Sequence, residues 1–69
     1  MTAPRALTIL VAARDEEERI ASTVEALRAQ FPGVEVVVAD DGSRDRTAAR
    51  AEAAGATVLR LRRRGKGQA

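Results

Sequence analysis

The 69-residue chain contains no cysteine and no histidine, which excludes disulfides and removes the usual zinc ligands. Small scaffolds normally rely on one such staple, and a chain this short buries only about 60% of the surface its unfolded form exposes. Phe31 is the single aromatic residue. Stacking platforms for nucleic-acid bases are therefore missing, and a net charge of only +2, from 12 basic and 10 acidic residues, gives no strongly basic surface. No apolar core follows the N-terminal Met-Thr-Ala-Pro-Arg, so it does not read as a secretion signal. The longest apolar run, residues 9–13, is far too short to span a bilayer. These features lead to the expectation of a cytoplasmic protein that does not bind nucleic acid. Finally, nothing after the C-terminal Gly65-Lys66-Gly67-Gln68-Ala69 closes a fold, so residues 1–69 are expected to be the front part of a larger domain.

What the chain does contain is a β-α-β-α-β rhythm. Residues 6–13 form an apolar, partly β-branched run, expected to be a buried strand. A charge cluster follows, Arg14-Asp15-Glu16-Glu17-Glu18-Arg19. Asp15 suits a helix N-cap, and the three glutamates suit a first turn, where the helix dipole favours negative charge. Ile20, Val24, Leu27 and Phe31 recur at helical spacing and read as core, and Pro32-Gly33 ends the helix. Residues 34–39 form the second strand. Ser43 suits the cap of a second helix whose Ala48 and Ala51 allow close approach to the sheet, with Gly55 as its C′ residue. Residues 56–61 form a third strand. Right-handed crossovers make the three strands parallel, in spatial order 3-2-1, the first half of a doubly wound α/β architecture.

Three loops at the strand ends carry the candidate chemistry, because ligands of open α/β sheets bind outside the carboxyl ends of the strands. The second strand stops at Asp40-Asp41-Gly42-Ser43. A turn and a helix cap account for these residues. Two adjacent carboxylates beside a buried strand nevertheless need donors, and a base with imide or amino N–H groups supplies them. The first loop, Ala13-Arg14-Asp15-Glu16-Glu17, is either a solvated helix start or the wall of the same cleft, with Arg14 stacking on or pairing with a nucleotide. The third, Arg62-Arg63-Arg64-Gly65-Lys66-Gly67, is either a solvated basic loop or a diphosphate clamp, in which glycines admit the phosphate and Lys66 adds charge. Neither a P-loop nor the Gly-x-Gly-x-x-Gly dinucleotide fingerprint is present.

These motifs resemble those of glycosyltransferase family 2. Residues 9–17, Ile-Leu-Val-Ala-Ala-Arg-Asp-Glu-Glu, resemble the family's opening motif, which ends in Pro-Ala-x-Asn-Glu-Glu. Residues 36–47, Val-Val-Val-Ala-Asp-Asp-Gly-Ser-Arg-Asp-Arg-Thr, resemble its Val-Val-Asp-Asp-Gly-Ser-x-Asp-x-Thr motif. Gly65-Lys66-Gly67-Gln68-Ala69 is similar to the Gly-Lys-Gly-x-Ala loop of the dolichyl- and polyprenyl-phosphate sugar transferase branch. Two positions depart from the pattern: Ala12 stands where proline is usual, and Asp15 where asparagine is usual.

The resemblance implies a GT-A fold, Rossmann-like, and a hexosyltransferase-like enzyme that moves a sugar from a nucleotide-diphospho-sugar to an acceptor with inversion. This chain would be its donor-binding N-terminal portion. Asp41 is implied to contact the base, Asp40 to support the ribose side or the fold, and Ala12, Arg14 and Glu16 to line the nucleotide pocket. Gly65 and Lys66 are implied to lie near the donor phosphates. The acceptor would be a polyprenyl phosphate or another hydroxyl compound, at a cytoplasmic location that extends to the cytoplasmic face of the membrane. A divalent cation, Mg or Mn, would act in the complete domain through an Asp-x-Asp motif beyond residue 69, with the catalytic base further on. The chain alone is then expected to bind no metal and to be inactive. Two rival readings are a sugar-nucleotide nucleotidyltransferase, which usually carries a glycine-rich loop where this chain has Ala13-Arg14-Asp15-Glu16, and a non-enzymatic basic binding module.

Overall fold

A computed structural model of the chain describes residues 7–61. Three strands and two helices alternate: β1 (Thr8–Ala13), α1 (Ile20–Gln30), β2 (Glu35–Asp40), α2 (Thr47–Ala53) and β3 (Thr57–Arg60). The strands form one parallel sheet in the order β1-β2-β3, with β2 in the middle. Val38 pairs with Val11 on one side and Val58 on the other, which fixes the register. The terminal residue of β2, Asp40, lies between Ala13 and Arg60. None of the described helices is long and apolar enough to cross a membrane.

The core lies on the helix-facing side of the sheet. Val36 and Val38 of β2, Ala13 of β1, Ile20 and Val24 of α1, and Ala51 of α2 form one buried cluster, with Val11, Leu27 and Val58 packed against it. Burying side chains of this size contributes roughly 1.5–3 kcal/mol each for the valines and isoleucine. The small side chains of Ala48 and Ala51 are buried, and α2 lies close to the sheet as their size allows. Gly55 follows α2 with φ +109°, where a Cβ would run into the Arg28 guanidinium that donates to the Ala54 carbonyl at 3.2 Å.

Three expectations about packing and helix starts are corrected. The first strand is not buried throughout: its residues alternate in exposure, because the described helices cover one face only, and Leu10 is 65% exposed. Phe31 is not core. Helix α1 ends at Gln30, and Phe31 takes φ −125° and ψ 73°, which swings it off the apolar stripe and leaves it exposed. Both helices also begin later than expected, α1 after Arg19 and α2 after Arg46, and neither has a side-chain N-cap. Asp15 and Ser43 are engaged with each other's loops instead, as described next.

Candidate functional site

The loops after β1 and β2 are adjacent because their strands are hydrogen-bonded neighbours. The ladder extends one step past β2, where the Asp41 N–H donates to the Ala13 carbonyl at 2.9 Å. This bond sets Asp41 beside the start of the first loop. Alternation along a strand then sends Asp40 and Asp41 to opposite faces.

Asp40 follows Val36 and Val38 onto the helix side and is 1% exposed. Its Oδ1 accepts from the Ser43 N–H at 3.1 Å, closing the turn around Gly42 (φ +76°). Its Oδ2 has no hydrogen bond and lies 3.8 Å from Arg60 Nε, across the β2–β3 pair. Both oxygens of this carboxylate therefore face groups of the chain itself. Asp41 is half-buried and lines an open cleft of about 210 Å³ together with Ala12, Ala13, Arg14 and Glu16.

The cleft unites four of the residues anticipated from the motifs: Ala12, Arg14, Glu16 and Asp41. Asp40 is not among its lining residues. Gly65 and Lys66, the expected phosphate contacts, lie outside the described residues. Glu16 Oε1 meets Arg19 Nη2 at 3.0 Å, a pair within one turn and largely open to solvent. The cleft thus presents two carboxylates and one guanidinium. Carboxylates accept from N–H and O–H donors, so they suit a base and a ribose, while Arg14 suits an anion or a planar ring.

A network that motif reading missed holds the first two loops together. Ser43 Oγ accepts from the Asp15 N–H at 2.8 Å, and Thr47 Oγ1 accepts from the Glu16 N–H at 2.8 Å. Asp45 Oδ2 accepts from the Glu17 N–H at 3.2 Å. In return, Asp15 Oδ1 accepts from the Arg44 N–H at 2.9 Å and Glu17 Oε1 from the Arg46 N–H at 2.8 Å. Asp45 Oδ1 accepts from the Thr47 N–H at 2.9 Å and from the Thr47 hydroxyl. The Thr47 hydroxyl is the main cause that holds the Asp45 carboxyl below its ordinary pKa of 3.8; the backbone donors Thr47 and Glu17 add to it and desolvation opposes it. The signal in the sequence was the odd-numbered series Ser43, Asp45, Thr47, whose side chains can share one side of an extended loop.

Asp15 sits at φ +51°, a left-handed conformation that Asn and Asp adopt more readily than other side chains. This explains a polar amide-or-acid residue at that position. Aspartate in place of asparagine keeps both the backbone conformation and the acceptor oxygen, and the carboxylate is directed to Arg44 N–H.

The described residues do not assemble a metal site. No group of three or more His, Cys, Asp or Glu among them is arranged to hold an ion. In the acidic hollow lined by Asp15, Glu16, Glu17, Glu18 and Asp45, three of the five carboxylates already accept from backbone amides. We therefore derive no step through a metal held by these residues.

The family model for glycosyl transferase family 2 matches residues 8–69. The chain belongs to glycosyl transferase family 2. Among curated relatives of this family, the 4,4'-diaponeurosporenoate glycosyltransferase of Staphylococcus aureus (strain MRSA252) is 46% identical over 55 residues, covering 80% of this chain and 15% of that protein. Among solved structures, glucosyl-3-phosphoglycerate synthase of Mycobacterium tuberculosis superposes with a TM-score of 0.72 at 36% identity, covering 81% of this chain and 21% of that one. The same enzyme in complex with Mn2+, UDP-glucose and glycerol 3-phosphate gives 0.71 at 34% identity, again over 81% and 21%. This family 2 chain therefore spans about a fifth or less of the length of these proteins. Its parallel α/β arrangement matches their GT-A fold.

Proposed function

We propose that this chain binds the nucleotide-diphospho-sugar donor of an inverting family 2 glycosyltransferase. One observation carries the reading: Asp41, Arg14, Glu16 and Ala12 line one cleft at the carboxyl ends of two adjacent parallel strands. The complex of the mycobacterial neighbour with UDP-glucose supports a uridine diphosphate sugar as the donor class. In this reading Asp41 accepts a hydrogen bond from the imide N–H of the base, and Glu16 accepts from ribose hydroxyls after exchanging its exposed pair with Arg19. Arg14 lies over the base or reaches the first phosphate. Lys66 and its flanking glycines serve the diphosphate. Asp40 supports the turn that presents Asp41. The described residues thus serve the donor side of the reaction, and the acceptor is a hydroxyl compound held elsewhere.

Calorimetric titration of the full chain with UDP tests the proposal. Asp41→Ala removes both carboxylate oxygens that accept from the imide N–H in this reading. We expect a loss of at least tenfold in affinity, about 1.4 kcal/mol. UDP affinity that is the same for Asp41→Ala and the parent chain removes Asp41 from the site.

A further inference from the structure

The five bonds exchanged between the two loops follow a parity. The consecutive amides of Asp15, Glu16 and Glu17 donate to the side chains of residues 43, 47 and 45, all odd-numbered. The alternate amides of Arg44 and Arg46 donate to the side chains of Asp15 and Glu17, again odd-numbered. The even-numbered side chains of the first loop, Arg14 and Glu16, are left to line the cleft with Asp41. From Arg14 to Glu17 the side chains therefore alternate between two tasks, lining the cleft and joining the loops.

We propose that Asp15 and Glu17 are positioning residues for the donor cleft. They do not line it with Asp41. They hold the first loop against the second, so that Arg14 and Glu16 meet a nucleotide already oriented. The inference rests on the donor reading above and adds two residues to it. The two positions require an acceptor oxygen at the right reach, not a negative charge, because the partners are neutral backbone amides. Asparagine at 15 and glutamine at 17 keep that oxygen, whereas glycine at 15 and alanine at 17 remove it. Glycine is the choice at 15 because it keeps the φ of +51° without strain.

Two readouts on the full chain test this together: amide hydrogen exchange at Arg44 and Arg46, and UDP affinity by calorimetry. Asp15→Gly should unprotect the Arg44 amide, Glu17→Ala the Arg46 amide, and each should weaken UDP binding about tenfold. Asp15→Asn and Glu17→Gln should stay within twofold of the parent in both readouts. Gly55→Ala, at the far end of α2, serves as the control: it should lower the urea midpoint and leave UDP affinity unchanged. Freed amides with unaltered UDP affinity overturn the positioning role. So does an Asp15→Asn variant as weak as Asp15→Gly, which points to a charge contact with the donor instead. A parent chain with protected amides but no UDP binding overturns the donor reading and the positioning role that depends on it, while the exchange data still report the clasp itself.

Discussion

Adjacent aspartates with the same side chain do different work here, and strand alternation is the reason. Asp40 points into the protein, where Ser43 N–H and Arg60 compensate a carboxylate that is 1% exposed. Asp41 points to the cleft. A buried charge stripped of its partners costs more than the pair contributes when intact. Asp40→Ala leaves the buried Ser43 amide without its acceptor and releases Arg60, which is largely in solvent already. We expect a loss of about 1–3 kcal/mol in unfolding free energy, read by urea denaturation. Asp40→Asn keeps the Oδ1 acceptor and should lose less. If Asp40→Ala instead leaves stability within about 0.5 kcal/mol of the parent, the carboxylate has no structural task. The pair was legible in the sequence as a strand end with two acids. Which acid faces inward needed the register, since moving β2 by one residue would exchange their roles.

Between residue and fold, the helix starts are where motif reading and structure part. Asp15 before three glutamates and Ser43 before Asp45 have the composition of N-caps, yet α1 and α2 start four or five residues later. A side-chain oxygen that can accept from an amide two or three residues ahead can accept equally from an amide on another loop. Composition does not distinguish the two; the distance between β1 and β2 does. By contrast the strands, the Gly55 helix stop and the small-residue face of α2 depend on local patterning, and each is found where the patterning puts it. The clasp carries a pH signature through Asp45. Its carboxyl is held below its ordinary value of 3.8 chiefly by the Thr47 hydroxyl, so its contribution is present above that value and is lost as pH falls through the lower folded value. We therefore expect the stability difference between the parent and Asp45→Asn, measured as urea midpoints, to be larger at pH 6 than at pH 3. A difference that does not change between those pH values would show that Asp45 titrates alike in both states.

At the scale of the molecule, the described helices cover one face of the sheet only. Val11, Val38 and Val58 are packed under α1 and α2, while Leu10 and Leu59 on the opposite face are 65% and 51% exposed. Among the described residues, the candidate cleft likewise lies at one edge, the carboxyl ends of β1 and β2. On the proposed reading this edge serves donor binding, and transfer makes further demands. Departure of a nucleoside diphosphate requires neutralisation of its growing charge, and attack by a hydroxyl requires a base. All ten acidic residues of the chain lie among the described residues, and no three of them gather with the geometry of an ion site. Three are committed to the amides of the clasp and Asp40 is buried. The mycobacterial neighbour that was solved with Mn2+, UDP-glucose and glycerol 3-phosphate is about five times as long as the part matched here. We therefore expect the 69-residue chain to bind UDP-glucose without consuming it. Incubated with UDP-glucose, Mn2+ and glycerol 3-phosphate, it should release UDP no faster than buffer alone, while calorimetry under the same conditions still shows binding. Release above that background, abolished by Asp41→Ala, would place the transfer machinery within these 69 residues.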